Sequence, residues 1–566
     1  MQLIIDGISV TPQPEQTLRQ LVAQLGLDHE ELSNRPLAAK IAGEVFNLNY
    51  IPVRKSTVGD RPSIRRAMEA SGGVVHLLRY SDPTGKEVYT RTAQFVIFLA
   101  LRRLWPKMRA KMNCTLGSAL YIQLADSGEL DLQALKAEIR SIVVADIPLL
   151  RRRITTEEAI ARFEQQGQTD KSQLLKIRKE SYFDIYEHDD YIDYFFGELA
   201  PSSGYLKVWD LLAAEEGFLF LFPDDIYPDR VGKYSAMPNF FSVFNEGERW
   251  GNLMQCQNVA DLNALVEAGK IRELVRVNEA LHERSFSRIA DAVCKGGCKA
   301  VMLAGPSSSG KTTSANRLAT QLRVYGKKPV LLSLDDYYID RDKILPGPDG
   351  KLDLEHINTI DTALFAQHLQ LLLQGQCVEI PTFDFLTGKR KWIGHTIYMH
   401  EDTVIIVEGL HALNPALLPQ GIPGELVYRM YVSPLIPLNL DDHNRIPTSY
   451  LRLLRRIVRD YETRGASVAH TLSMWDSVQR GEKKWIFPYQ EHADVIFNSS
   501  TLYELSVLKK HIYPLLTAVQ PEEDCYETVR GIVKILNFVQ EADIDDEIPP
   551  TSLVREFIGG NAFYRQ

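Results

Sequence analysis

The chain has 566 residues, 45% apolar and 24% charged, the balance of folded globular domains rather than of disordered or collagen-like chains. Its 64 Lys and Arg against 73 Asp and Glu leave a net charge of −9, so any RNA contact has to come from a local patch. No apolar run reaches the ~18–20 residues of a membrane helix, Met1–Gly7 lacks the basic and apolar regions of a secretory signal, and six cysteines are too few for a disulfide scaffold. A cytoplasmic location away from membranes is the expectation. Cys294 and Cys298 form a lone C-x3-C, short of the four ligands a structural zinc needs.

Gln2–Ile5 is short and apolar-rich like a strand, Asp6-Gly7 is a two-residue hairpin turn, and Ile8–Val10 is the return strand. Thr17–Leu25 puts Leu18, Leu21, Val22 and Leu25 on one helical face, and Leu37–Leu48 offers further short strands. This order predicts a ubiquitin-like roll over residues 1–62. Residues 63–235 form a second region of α+β character. Thr92–Arg103 there has the apolar spacing of a helix, Thr155–Ala159 reads as a capped helix start, and Pro201–Gly204 is a turn. Residues 236–285 read as a helical connector, with Leu262–Arg284 as its helix.

From 286 to 520 strand and helix alternate. Ala300–Leu303, Pro329–Leu334, Thr403–Val407 and Leu426–Val432 read as strands, and Thr312–Tyr325 as a helix. That rhythm predicts an α/β domain with a mostly parallel sheet covered by helices on both faces. Residues 521–566 are a tail with helical character near Tyr526–Val539.

Gly305-Pro306-Ser307-Ser308-Ser309-Gly310-Lys311-Thr312 fits the phosphate-loop pattern G-x4-G-K-[ST], between a predicted strand and a predicted helix. Gly305 and Gly310 leave room for backbone N–H groups to surround a polyphosphate. The helix points its positive end at the same anion. Lys311 reaches the outer phosphate oxygens and Thr312 offers a hydroxyl to Mg²⁺. Ser307, Ser308, Ser309 and Thr313 complete the expected nucleotide contacts.

Two acids follow neighbouring strands, Asp335 with Asp336 after the second and Glu408 after the third. The carboxyl ends of strands are where an open parallel sheet binds its ligand. Asp335 is the candidate base for an attacking hydroxyl and a metal partner, and Glu408 the candidate metal support. Arg452, Arg455, Arg456 and Arg459 are spaced to share one helical face, with Arg464 beyond them. Such a face would serve as a cationic lid over the transferring phosphoryl group.

These residues resemble the uridine kinase and phosphoribulokinase group of P-loop kinases over about 300–515. The likeness rests on the loop, Leu332–Tyr338, Leu354-Glu355-His356, Pro381–Phe385, Val407-Glu408-Gly409, Arg455–Asp460 with Arg464-Gly465, and His492–Ile496. The resemblance implies ATP as donor and Mg²⁺ as cofactor. It assigns Asp335 to the acceptor hydroxyl and metal, Glu408 to the metal, and Arg456, Arg459 and Arg464 to phosphates and substrate. Asp336, Tyr338, Glu355, Phe383 and Arg456 become the acceptor-side residues. Departures fall on that side. Uridine kinases usually carry Asp at Glu355, an aromatic hydroxyl at Phe383, His at Gly388, and Arg and Gln at Ala466 and Met474. A pocket without its polar base contacts loses discrimination for that base. Leu438–Arg445 is an additional piece near the lid, placed to reshape the pocket.

The first two modules resemble the TGS domain and the second additional domain of threonyl-tRNA synthetase. The second likeness rests on Thr92–Phe95, Leu104-Trp105-Pro106, Arg152–Ala159 and Asp193–Tyr205. The editing cluster of that synthetase domain aligns with Thr90, Gln94, Phe195 and Leu199, none a strong general base or comparable metal ligand, so no editing activity is expected. The reading of the whole is an ATP-dependent kinase acting on a small hydroxyl compound, most simply a nucleoside. The alternatives are a nucleotide-sensing RNA-binding regulator and an NTPase that uses water.

Overall fold

A computed structural model describes residues 2–53, 68, 71–124, 130–178, 180–214, 216–344, 353, 355–418, 422–435 and 438–563; Leu354 of the motif above lies outside them. The chain divides into two units, Met1–Ala236 with Asn439–Arg445, and Met237–Leu438 with Ile446–Gln566.

In the first unit Asp6 and Gly7 both take positive φ, 44° and 85°, the geometry a two-residue hairpin requires, and Leu3 pairs with Val10. The Leu18–Gln24 helix starts behind a reciprocal cap, in which the Thr17 hydroxyl accepts the Gln20 N–H and the Gln20 side chain accepts the Thr17 N–H. Its Leu18, Leu21 and Val22 pack on Leu3, Ile5, Ile41 and Val75. The five-stranded sheet runs Ile8–Val10, Leu3–Ile5, Val74–Leu78, Ala38–Ile41, Glu44–Phe46. Val74–Leu78 is thus the central strand of this sheet, although it lies past residue 62, the boundary read from the sequence. Hydrogen bonding to strands on both sides draws it in.

The helix expected over Thr92–Arg103 spans Pro83–Leu104, with proline in its first turn, a start signal that apolar spacing alone does not reveal. It is buried on every side from Thr92 to Leu101. A four-stranded sheet (Asp210–Ala214, Gly217–Leu221, Ala119–Leu124, Ala110–Leu116) and a three-stranded one (Tyr191–Asp193, Tyr182–His188, Arg151–Thr155) accompany it.

Of the additional piece Leu438–Arg445, the heptapeptide Asn439–Arg445 packs with the first unit. The His443 ring stacks on Phe98 with centroids 3.5 Å apart. His443 Nδ1 lies 2.6 Å from Asp193 Oδ2, and Lys171 Nζ donates to Asp193 Oδ1 at 2.6 Å. Burial by itself would raise the Asp193 carboxyl, but Lys171 and His443 hold it well below the usual range. The Tyr194 hydroxyl donates to Asp441, and Asn439 Nδ2 donates to Met112 O at 2.8 Å. Apolar and ionic partners together fix this heptapeptide more firmly than its polar sequence suggests.

In the second unit five strands, β1 (Ala300–Ala304), β2 (Lys328–Ser333), β3 (Thr403–Glu408), β4 (Val427–Ser433) and β5 (Val495–Asn498), form a sheet of order β2-β3-β1-β4-β5. Every neighbouring pair is parallel. On one face Val301, Leu303, Ile406 and Val432 meet Phe286, Ile289, Leu318 and Leu322 from two helices. Met302, Ile405, Val407 and Tyr431 alternate to the other face and are buried too, so the sheet is covered on both sides. The predicted Leu262–Arg284 helix is two, Val259–Glu267 and Ile271–Lys295, divided where Gly269 turns left-handed at φ 67°. The longer one runs past residue 285 and packs on the sheet core through Phe286, Ile289, Ala290 and Val293.

Candidate active site

The phosphate loop leaves the carboxyl end of central β1. A Cβ on Gly305 would stand 2.1 Å from the Val432 carbonyl oxygen, so only glycine lets the loop pass β4 this closely. Gly310 closes the loop in the left-handed region at φ 88° and caps the Lys311–Val324 helix without a side chain. The Ser308 and Ser309 hydroxyls are buried with no partner. Lys311 Nζ rests on the Pro306 carbonyl at 3.1 Å.

Thr312 Oγ1 donates to Glu408 Oε1 at 3.2 Å, joining the helix start to the end of β3. Burial raises the Glu408 carboxyl to about 7, helped by the charges of Asp335 and Glu556 and opposed by Lys311. Asp335, just past β2, is also raised by burial, with Lys311 and Arg464 pulling it down and Asp336 pushing it up. A cation would relieve both carboxylates. One hydroxyl and two carboxylates are the hard oxygen set with which Mg²⁺ is held beside phosphates, so these residues fit the metal. Asp336 Oδ1 accepts the Phe383 N–H at 3.3 Å.

The arginines of the Thr448–Arg464 helix do not act as one face. Arg452 is buried, donates to both Glu482 oxygens, and braces the Ser307 carbonyl at 3.1 Å. Arg455 is fully buried against Glu504 and Ser499. These two support the loop from beneath and are no lid. Arg456 reaches the Ser307 hydroxyl at 2.9 Å. Arg459 and Arg464 both pair with Asp460, and Arg464 is largely exposed. Of the five, Arg456, Arg459 and Arg464 keep positions compatible with phosphate or substrate contact.

On the acceptor side Glu355 keeps a buried carboxylate oxygen without a partner. Burial and then Glu482 raise its carboxyl to about 7, with Arg456 and Lys311 opposing. The Tyr338 phenol is raised by burial and by Asp335 and Glu355, and its ring lies 5.5 Å from the Phe383 ring. Sequence reasoning missed three residues here. Glu482 Oε1 accepts the Ser307 N–H at 2.9 Å from 175 positions away. His411, three residues past Glu408, is buried, and burial drives it down to about 4, with the Glu355 backbone opposing. Glu556 contacts Thr313. Proximity to a motif could have flagged His411; nothing local marks the other two.

A parallel sheet whose central strand runs into a glycine-bounded loop, with acids at the ends of both strands on one side of it, defines a P-loop phosphotransferase. Residues 300–506 match the model of the Phosphoribulokinase / Uridine kinase family. The uridine kinase of Vibrio atlanticus strain LGP32 is 30% identical over 224 residues, 39% of this chain and 96% of that one. The uridine kinase of Klebsiella pneumoniae strain 342 is 30% identical over 202 residues, 35% of this chain and 86% of that one. A Silicibacter chain described as a fructose transport system kinase superposes on 38% of this chain and 98% of its own, at 19% identity and a TM-score of 0.29. The family assignment rests on the sequence matches. The chain belongs to the phosphoribulokinase/uridine kinase family and is an ATP-dependent kinase.

Proposed function

We propose that this kinase transfers the γ-phosphate of ATP to a hydroxyl of a nucleoside-like acceptor. The observation that carries the reading is the meeting of Lys311, Thr312, Asp335 and Glu408 at the carboxyl ends of β1, β2 and β3. Asp335 takes the proton of the acceptor hydroxyl as it attacks the γ-phosphorus. Lys311, Arg456, Arg459 and Arg464 stabilise the charge that spreads over the transferring group. Thr312, Asp335 and Glu408 would hold Mg²⁺, which when bound neutralises phosphate charge. Gly305, Ser307, Ser308, Ser309, Gly310 and Thr313 line the nucleotide loop. Glu355 supplies an oxygen suited to an acceptor hydroxyl, and Tyr338 with Phe383 an aromatic wall. With Phe383 and Gly388 where polar contacts to a pyrimidine edge are expected, acceptor choice is broad with respect to the base.

The first two modules are proposed to be TGS-like and synthetase-editing-like domains without hydrolytic activity. Gln94 is committed to Met112 and Leu199 is fully buried. The heptapeptide Asn439–Arg445 binds Phe98, Met112 and Tyr194, next to these positions, which favours a scaffold over an RNA-reading cleft. The test is ADP release from ATP across a panel of nucleosides and sugar phosphates. Acceptor-dependent ADP release supports the reading; equal release without acceptor favours water as nucleophile and overturns it.

A further inference from the structure

The Lys311–Val324 helix opens with backbone N–H groups that have no partner within the helix. In most helices the side chain of the capping residue takes one of them. Here the capping residue is Gly310, which has no side chain to offer. The vacancy suits a phosphate, yet another anion of the same chain stands there. Glu556 Oε2 accepts the Thr313 N–H at 3.2 Å and the Thr313 hydroxyl at 2.6 Å. Asn561 Nδ2 donates to the same hydroxyl at 3.3 Å. Leu553 is buried in the sheet core, and its Cδ2 stands 3.1 Å from where a Gly310 Cβ would be. Phe557 lies under the Arg455 guanidinium at 4.8 Å, and Arg555 ties the segment to the Ile548 carbonyl.

We propose that Ser552–Phe563 is an autoinhibitory strap, with the Glu556 carboxylate standing in for a nucleotide phosphate on Thr313. This rests on the nucleotide-loop reading above and adds its regulation. Two anions cannot share one N–H donor at short range. Nucleotide therefore binds only to the fraction of molecules in which Glu556 has swung away, and the apparent affinity falls by that fraction. Leu553 and Phe557 keep the strap attached, so displacement is local to the Glu556 side chain and the residues after Phe557. Whatever draws the end of the chain away raises affinity for ATP without touching the catalytic groups.

The test uses the full chain and titration calorimetry with MgADP, so that binding is read apart from transfer. Glu556→Gln keeps size and hydrogen-bond capacity but removes the charge, and is expected to bind about 3- to 10-fold tighter; Glu556→Ala is expected to gain at least as much. Hydrogen exchange in 558–563 is expected to rise on adding nucleotide to the wild type. Unchanged or weaker affinity in both variants, with only a lower Tm, would make Glu556 a permanent helix cap and sink the proposal while leaving the kinase reading intact. Tighter binding in the variants without acceptor-dependent ADP release would uphold the strap and refute the kinase reading. Absence of nucleotide binding in wild type and variants alike would end both.

Discussion

Asp335 and Glu355 are two carboxyls raised by burial whose removal has opposite consequences. Asp335→Asn removes the proposed general base, and acceptor-dependent ADP release should fall about 10²- to 10⁴-fold, far more than nucleotide affinity. Glu355→Gln should lower acceptor turnover but stabilise the apo protein. The folded Glu355 carboxyl sits near 7 against 4.5 when exposed, so the folded state binds more protons between those values and loses stability as pH rises through them. The Tm gain of the variant should therefore grow from pH 4.5 to 7 and level off above; a gain that shrinks over that window would contradict the assignment. Gly305, Gly310, Lys311 and Thr312 were legible at this scale because their spacing is local. Glu482 was not, since its bond to Ser307 crosses 175 positions and no pattern within a window contains both ends.

Element-level reading succeeded where a helix or strand announces itself. Thr17 with Gln20 marks one helix start and Thr155 another. It missed the first turns of Pro83–Leu104, where Gly85, Val88 and Tyr89 are the buried residues and too few apolar side chains mark the face. The Thr448–Arg464 helix is the sharpest case. Periodicity aligned its arginines, but a face has no function until its neighbours are known. Arg455→Met breaks a buried pair with Glu504, and chemical denaturation should show a loss of about 3–5 kcal/mol. Arg456→Met should cost less stability than Arg455→Met, because its partner Asp460 keeps Arg459 and Arg464, and should lower ADP release about 10-fold or more, since that side chain reaches the Ser307 hydroxyl of the loop. Equal stability losses in the two variants would refute the division of this helix into supporting and phosphate-facing arginines.

Across the whole molecule, Asn439–Arg445 leaves one unit and completes the other. A chain beginning at Met237 would leave Asp441 without Tyr194, and His443 without Asp193 and Phe98. Acid stability is also set at this scale. Burial drives His282 down to about 3, with Arg317 and Arg455 adding to it, whereas the unfolded chain takes up the proton near 6.5. The unfolded state therefore binds more protons below 6.5, and this residue makes stability fall as pH drops from 6.5 toward 3. His282→Gln should flatten that part of the Tm profile; an unaltered slope would show that other groups set it. By itself the sequence determined the phosphate loop, the order of strands and helices in the kinase domain, and which acids end which strands, because each follows from spacing along a few consecutive residues. Tertiary structure alone decided which arginines lie beneath the loop, which strand completes the first sheet, and which carboxylates stand on the loop's amides. Those outcomes depend on burial and on charges that meet only after distant segments have packed.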